Sequence, residues 1–184
     1  MDAITLLIDD HRRIDLLLDA VIHGDLTAVP RVCEALLLHS RMEEEVLYPT
    51  SARLLDDGGW DASAAIEDHA IMKRLIAELS EEPITTPSYV DRVGVLVRLW
   101  RDHVREEEEI LFPQLAAALD PRAAEEVGDA LAHVGRQPPT GTAEALQDPG
   151  ASSDGDVSWV ESPVTQNPRV DRSVAAVIQR TQGM

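Results

Sequence analysis

The sequence predicts an all-α protein: an up-down-up-down four-helix bundle with a short fifth helix and a flexible C-terminal tail. Apolar residues recur at helical spacing through most of the chain before Gln137. Hydrophobic residues make up 44% of the 184-residue chain and aromatic residues only 3%, a balance that favours helices packed on helices. The two halves of the helical part resemble each other, and a helical hairpin repeated once gives four helices with short connections.

The first two helices are predicted from their apolar periodicity and from the residues at their ends. The first runs from about Asp2 to Ile22, and Gly24 is expected to end it. The second opens between Thr27 and Pro30, since proline is tolerated in a first turn, and Pro49 is expected to kink or end it. The inward stripes are Ile4, Leu7, Ile8, His11, Ile14, Leu18 and Ile22, then Val32, Leu36, His39, Glu43, Val46 and Leu47.

The third and fourth helices repeat this arrangement. The third is predicted from Asp61, a good N-cap residue, to about Ser80. Ser88 and Asp91 have the spacing of a capping box that opens the fourth helix, and a short fifth helix is expected over 122–133. The inward stripes are Ala62, Ile66, His69, Met72, Ile76 and Leu79, then Val93, Leu96, Trp100, His103, Glu107, Ile110 and Gln114.

The chain divides into a helical domain, residues 1–136, and a low-complexity tail, residues 137–184. The tail is predicted to be disordered, because Pro, Gly and Ser break its periodicity, and it is the expected place for a protein partner. The formal charge of −18 argues against nucleic acid or an anionic membrane as a partner. The single Cys33, the absence of a signal-peptide pattern and the lack of a long apolar run predict a soluble, cytoplasmic protein.

One stretch occurs twice and carries the chemistry. A His is followed four residues later by a Glu in both His39–Pro49 and His103–Pro113, so each pair projects from one face of a helix. Burying unpaired charges costs several kcal/mol per ion, whereas a metal ion neutralises imidazoles and carboxylates at low cost. Iron, manganese and zinc all accept such ligands. The candidate metal ligands on the inward stripes are His11, His39, Glu43, His69, His103 and Glu107.

Each candidate also has a simpler explanation. A lone histidine on an apolar face is usually a hydrogen-bonded core residue, but the repeated spacing favours ligands here. The acidic runs Glu43–Glu45 and Glu106–Glu109 hold more carboxylates than one site needs, so most are assigned to a solvated face, with one of them contacting a ligand. Tyr48 is close enough in sequence to approach the site, but a packing role is favoured for it.

The His-x-x-x-Glu order separates this chain from ferritin-like proteins, which use Glu-x-x-His. Both motif copies, with their Glu-Glu-x-x-Leu-Tyr/Phe-Pro continuations, resemble the hemerythrin HHE cation-binding family over roughly residues 3–133. The resemblance implies a centre of two non-haem iron ions inside a hemerythrin-like bundle. In it, His11 and His39 would bind one iron, His69 and His103 the other, and Glu43 and Glu107 would bridge.

Two departures from the oxygen-carrying members bear on function. Lys73 stands where those proteins have a second third-helix histidine, and Glu107 follows its histidine by four residues where they have an Asp at five. One imidazole fewer leaves a metal position for an outside ligand. The resemblance therefore favours binding, sensing or reduction of O₂, hydrogen peroxide or NO, and leaves catalase- or peroxidase-like activity open. The alternatives are an iron-responsive sensor or interaction module without turnover, and a metal-free bundle with a polar network.

Overall fold

The structure is a computed structural model that describes residues 1–55, 60 and 62–137. Regular structure within these residues is entirely helical, as the sequence predicts. The predicted turn at 56–59, the N-cap Asp61 and the tail beyond Gln137 lie outside the described residues. The α-helices are α1 (Ala3–Ile22), α2 (Val29–Met42), α3 (Tyr48–Leu54), α4 (Ala62–Glu81), α5 (Pro87–Glu106), α6 (Phe112–Ala118) and α7 (Pro121–Gly135).

Side-chain caps fix where several of these helices begin. Asp2 accepts a hydrogen bond from the Thr5 N–H at the start of α1, and Asp120 caps α7 in the same way. For α5 the predicted capping box at Ser88 is wrong, because Thr86 accepts from the Tyr89 N–H instead. Pro87 then occupies the first turn, where its missing N–H costs nothing.

Both motif-bearing helices continue through their proline instead of ending there. After α2 the chain forms a π-helical turn, Glu43–Leu47, in which the Tyr48 N–H donates to the Glu43 carbonyl five residues back. An equivalent turn, Glu107–Leu111, follows α5. A π turn accommodates one extra residue and rotates everything after it about the helix axis. Pro49 therefore does not end the helical run, and α3 follows directly.

Two apolar clusters fill the interior and leave a polar layer between them. Along α1, Leu7 belongs to one cluster and Ile14 to the other, with His11 between them. Along α4, Ala65 and Met72 flank a histidine in the same way. None of the described helices is long and apolar enough to cross a bilayer.

Two predicted inward positions are wrong. Ile66 is 47% exposed, because Ala65, one position earlier on the edge of the same stripe, is buried in its place. Ile110 is 45% exposed because it lies inside the second π turn, which rotates it away from the core and turns Leu111 inward. The error at Ile110 comes from extending the α-helical periodicity of 100° per residue through a π turn, whereas at Ile66 the helix is regular and the neighbouring position is buried instead.

The predicted fifth helix, α7, extends slightly beyond its expected ends and packs on α1 and α2. Gly128 makes this packing close: a Cβ there would lie 2.1 Å from the Met1 carbonyl oxygen and 3.1 Å from the Ala3 nitrogen. Gly128→Ala is expected to lower the free energy of unfolding by about 1–3 kcal/mol, since either α7 or the backbone at the start of α1 must shift to accept the methyl group. Thermal unfolding followed by circular dichroism measures the change.

Asp129→Ala, at an exposed position of the same helix, is the matched control and should change stability by less than about 0.5 kcal/mol. Equal melting temperatures for the two variants would show that α7 does not depend on this close approach.

Candidate metal centre

The structure brings the six predicted site residues together in the polar layer between the two apolar clusters. Their donor atoms form two adjoining groups, and within each group all donors lie within 4.8 Å of one another. All six side chains are buried, with residue exposures of 0–2%. The first group contains His11, His39, Glu43 and Glu107, and the second contains Glu43, His69 and His103.

Glu43 belongs to both groups because its two oxygens face opposite ways. Oε1 lies 3.0 Å from His39 Nε2 and 3.8 Å from His11 Nε2. Oε2 lies 3.2 Å from His69 Nε2 and 3.4 Å from His103 Nε2. This is the arrangement of a carboxylate that bridges two cations.

Glu107 is less symmetric. Its Oε2 lies 3.5 Å from His11 Nε2 and 3.6 Å from His103 Nε2, so one oxygen faces a histidine of each group. Its Oε1 accepts a hydrogen bond from the Tyr48 hydroxyl at 3.0 Å. Glu107 is therefore close to both groups, although it converges with all the donors of the first group only.

The donor atoms of the first group have no hydrogen-bond partner among the residues that the structure describes. An unpaired buried polar atom costs about 1–3 kcal/mol, so four at one place need a compensating interaction. A cation supplies it, because neutral imidazole nitrogens and carboxylate oxygens all present lone pairs to the same point. The unpartnered atoms are His11 Nε2, His39 Nε2, Glu43 Oε1 and Glu107 Oε2.

Three of the histidine rings are held from behind by carboxylates. Because an ionised carboxylate only accepts, each of these Nδ1 atoms carries the proton and leaves the Nε2 lone pair facing the site. The contacts are His11 Nδ1 to Glu108 at 2.8 Å, His39 Nδ1 to Asp10 at 3.0 Å and His69 Nδ1 to Glu44 at 2.9 Å.

The sequence predicts that Glu44 and Glu108 belong mostly to the solvated face, with one acidic residue contacting a ligand. The structure has both of them hydrogen-bonded to histidines, and Asp10 as a third. A signal existed, since Glu44 and Glu108 immediately follow the two motif glutamates at equivalent positions of the repeat. Lys73 pairs with Glu44 at 2.6 Å, so it reaches the site only through that carboxylate.

Tyr48 has the packing role that the sequence favours, because its ring belongs to one of the two apolar clusters, but its hydroxyl also enters the centre. Its hydroxyl oxygen lies 3.1 Å from Glu43 Oε2 and 3.4 Å from His69 Nε2, in addition to its contact with Glu107. The π turn explains how the hydroxyl reaches the centre. Nine residues of α-helix would place Tyr48 about half a turn away from the face of His39, and the extra residue in the turn brings it back.

Aromatic rings wall the centre. The Trp100 ring lies edge-on to His39, with centroids 4.9 Å apart, and its Nε1 donates to Asp15 at 2.9 Å. The Phe112 ring stacks on His11 at 5.6 Å. These contacts keep water away from the imidazoles and restrict the orientations that the rings adopt.

In the metal-free chain the histidines and carboxylates share protons. Burial alone would lower the pKa of His11, but the facing carboxylates of Glu107 and Glu43 outweigh it and raise this pKa to about 10. For His69, burial is likewise outweighed, by Glu43 and Glu44, and its pKa rises to about 9. The surrounding histidines, led by His39, overcome the opposing effect of burial and hold the pKa of Glu43 well below its usual value.

These shifts predict opposite pH trends for the metal-free and metal-bound protein. The raised pKa values of His11 and His69 stabilise the metal-free fold below about pH 6.5, and this contribution disappears as pH rises towards 9 and 10. The loss is about 1.4 kcal/mol per pH unit for each histidine protonated only in the folded state. Metal binding needs the same nitrogens deprotonated and therefore tightens over that range.

Denaturant titrations with and without a chelator, at several pH values from 6 to 10, measure both trends. The stability gained from metal should grow as pH rises while the chelated protein becomes less stable. If the stability with metal and the stability with chelator changed in the same way with pH, these imidazoles would not be the groups that bind protons in the metal-free fold and metal in the loaded one.

Buried imidazoles and carboxylates that converge between helices in two adjoining groups define a cation-binding helical protein. The chain belongs to the hemerythrin HHE cation-binding domain family, because the sequence model of that family matches residues 2–115. It is also 32% identical over 105 residues to a protein of Nostoc sp. (strain PCC 7120 / SAG 25.82 / UTEX 2576) described as a DNA nickase. The match covers 57% of this chain and 26% of that relative, so the chain spans about a quarter of its length. No solved structure gives a significant match.

Proposed function

We propose that the domain holds two non-haem iron ions and binds, senses or reduces small oxidants such as O₂, hydrogen peroxide or NO. The observation that carries this proposal is the set of buried donor atoms that face one another without hydrogen-bond partners. Manganese and zinc are alternatives, because the ligand types suit all three metals. The proposed ligands are His11, His39, Glu43, His69, His103 and Glu107.

Bound iron would supply a redox-active centre that accepts small ligands. The protein's own residues orient its ligands: Asp10, Glu44 and Glu108 hold the imidazoles from behind. Trp100 and Phe112 keep water from the imidazole faces. The first group has four converging donors and the second has three, so neither fills a six-coordinate metal, and coordination space remains for a small molecule.

A second candidate is an iron-responsive cation-binding module without turnover. The burial of all six site residues supports it, since a deeply buried centre is well placed to couple metal binding to folding. The two candidates differ in what happens after metal is bound. The first predicts consumption of an oxidant, and the second predicts only a gain in stability.

The test is reconstitution of anaerobically purified protein with ferrous iron, followed by separate additions of O₂, peroxide and NO with optical monitoring. Spectral change with each oxidant, and peroxide consumed in excess of iron, would support a catalase- or peroxidase-like role. Bound iron and a higher melting temperature without turnover would support the sensor. If no iron is retained and His39→Ala behaves like the wild type, both are wrong.

The nickase relative does not lead us to propose action on DNA. Its match includes only about a quarter of that protein, so its named activity need not reside in the shared part. The formal charge of −18 also opposes binding to a phosphate backbone. We expect no nicking of supercoiled plasmid by the iron-loaded chain, which gel electrophoresis would measure.

The proposal also includes the order of the helices and the location of the protein. An up-down-up-down order of the four long helical segments is supported by the contacts of α1 with α2, α2 with α4 and α4 with α5. A cytoplasmic location is supported by the lone Cys33, which is a free thiol.

A further inference from the structure

We propose that Tyr48 is a further protein ligand of the centre, supplying its phenolic oxygen to the second metal beside Glu43, His69 and His103. The inference rests on the proposed function, because it assumes that the two groups hold metal. It concerns a residue outside the repeated His/Glu constellation. Four observations carry it: the number of donors in each group, the distances of the hydroxyl, the internal repeat and the burial of the ring.

The two groups are unequal, and Tyr48 lies against the smaller one. The first group contains four converging donors and the second contains three. The Tyr48 hydroxyl contacts Glu43 Oε2 and His69 Nε2, which are both donors of the second group. Adding the phenolic oxygen brings the second group to four donors.

The distances are those of ligands around a common ion. Donors about 2.1 Å from one ion, at angles between those of an octahedron and a tetrahedron, lie about 3.0–3.4 Å apart. Within the second group, His69 Nε2 is 3.3 Å from His103 Nε2 and 3.2 Å from Glu43 Oε2. The phenolic oxygen extends the same set, at 3.1 Å from Glu43 Oε2 and 3.4 Å from His69 Nε2.

The two copies of the sequence repeat differ at this position by the phenolic oxygen, since one has Tyr48 where the other has Phe112. Tyr48 and Phe112 each follow their motif histidine by nine residues and directly follow a π turn. Tyr48 stacks on His69 at 5.6 Å, and Phe112 stacks on His11 at the same centroid distance. The group with four donors thus has the phenyl ring of Phe112 against its His11, and the group with three donors has the phenol of Tyr48 against its His69.

The surroundings of Tyr48 favour a ligand over a solvated side chain. The residue is 3% exposed, and the Trp60 ring lies 5.2 Å from its own ring. Its hydroxyl faces two carboxylates and an imidazole. A phenolate is a hard anionic oxygen donor and therefore suits a hard ion such as ferric iron.

The experiment uses the full chain loaded anaerobically with ferrous iron and then oxidised with O₂. A phenolate bound to ferric iron gives a visible charge-transfer band, and excitation in that band enhances tyrosine ring modes in the resonance Raman spectrum. The chain contains two tyrosines, so Tyr48→Phe and Tyr89→Phe form a complete matched pair. Tyr89 is buried in the other apolar cluster, away from the centre.

We expect the wild type and Tyr89→Phe to show the band with tyrosine ring modes. Tyr48→Phe should lose both while it keeps its helical circular dichroism and two irons per chain. Two irons without tyrosine modes in the wild type would overturn the inference, leaving Tyr48 as a hydrogen-bond donor to the carboxylates, and would leave the proposed function intact. No retained iron would overturn both. The Raman measurement on the wild type decides the question even if Tyr48→Phe does not fold.

Discussion

Glu43→Gln is expected to remove metal from both halves of the centre. The two oxygens of Glu43 face different groups, Oε1 towards His39 and Oε2 towards His69, so one substitution alters both sets of ligands. An amide has no negative charge and offers one oxygen in place of two. Iron per chain after anaerobic reconstitution and desalting should fall from two to well below one.

Glu45→Gln is the matched control, because Glu45 lies in the same π turn but is exposed. It should retain two irons. Loss of a single iron in Glu43→Gln would show that this carboxylate binds only one of the two ions. Retention of both irons would show that it is needed for neither.

Removing the metal is expected to destabilise the domain strongly. The site residues interrupt the apolar interior in one layer, and without a cation their charges balance only through shared protons. A ligand present at a thousand times its dissociation constant stabilises a fold by about 4 kcal/mol, and two ions contribute more. For a chain of this size, chelation should lower the melting temperature by roughly 10 °C or more.

Thermal unfolding with and without a strong chelator measures this loss. Glu43→Gln should melt at a low temperature that the chelator does not change further. If the chelator lowered the melting temperature of Glu43→Gln as much as that of the wild type, it would be acting somewhere other than this centre.

The layer of buried His and Glu side chains could be predicted from the sequence because its positions follow helix geometry. The four-residue spacing of His39 and Glu43 places both on one face whatever the details of packing. The repetition of that spacing in the second half then identified the partner helix. The end of the first helix at Gly24 was equally predictable, and Gly24 adopts a φ of 100°, which favours glycine.

The parts that escaped prediction depend on departures from regular helix or on contacts between helices. The π turns determine which way the side chains of Tyr48 and Ile110 point, and no residue type in the sequence predicts such a turn. The contact of Glu108 with His11 joins residues 97 positions apart, which spacing within one helix cannot reveal. The cap of α5 was misplaced because Thr86 and Ser88 are both good cap residues, and the position of Pro87 decides between them.

Anomalous diffraction at the iron absorption edge, from crystals of the reconstituted protein, tests the central claim most directly. Two peaks should lie in the polar layer on either side of the Glu43 carboxylate, one beside His11 and His39 and the other beside His69 and His103. Each should be about 2.1 Å from its Nε2 atoms. An empty layer, or metal found only on the acidic surface, would contradict the account.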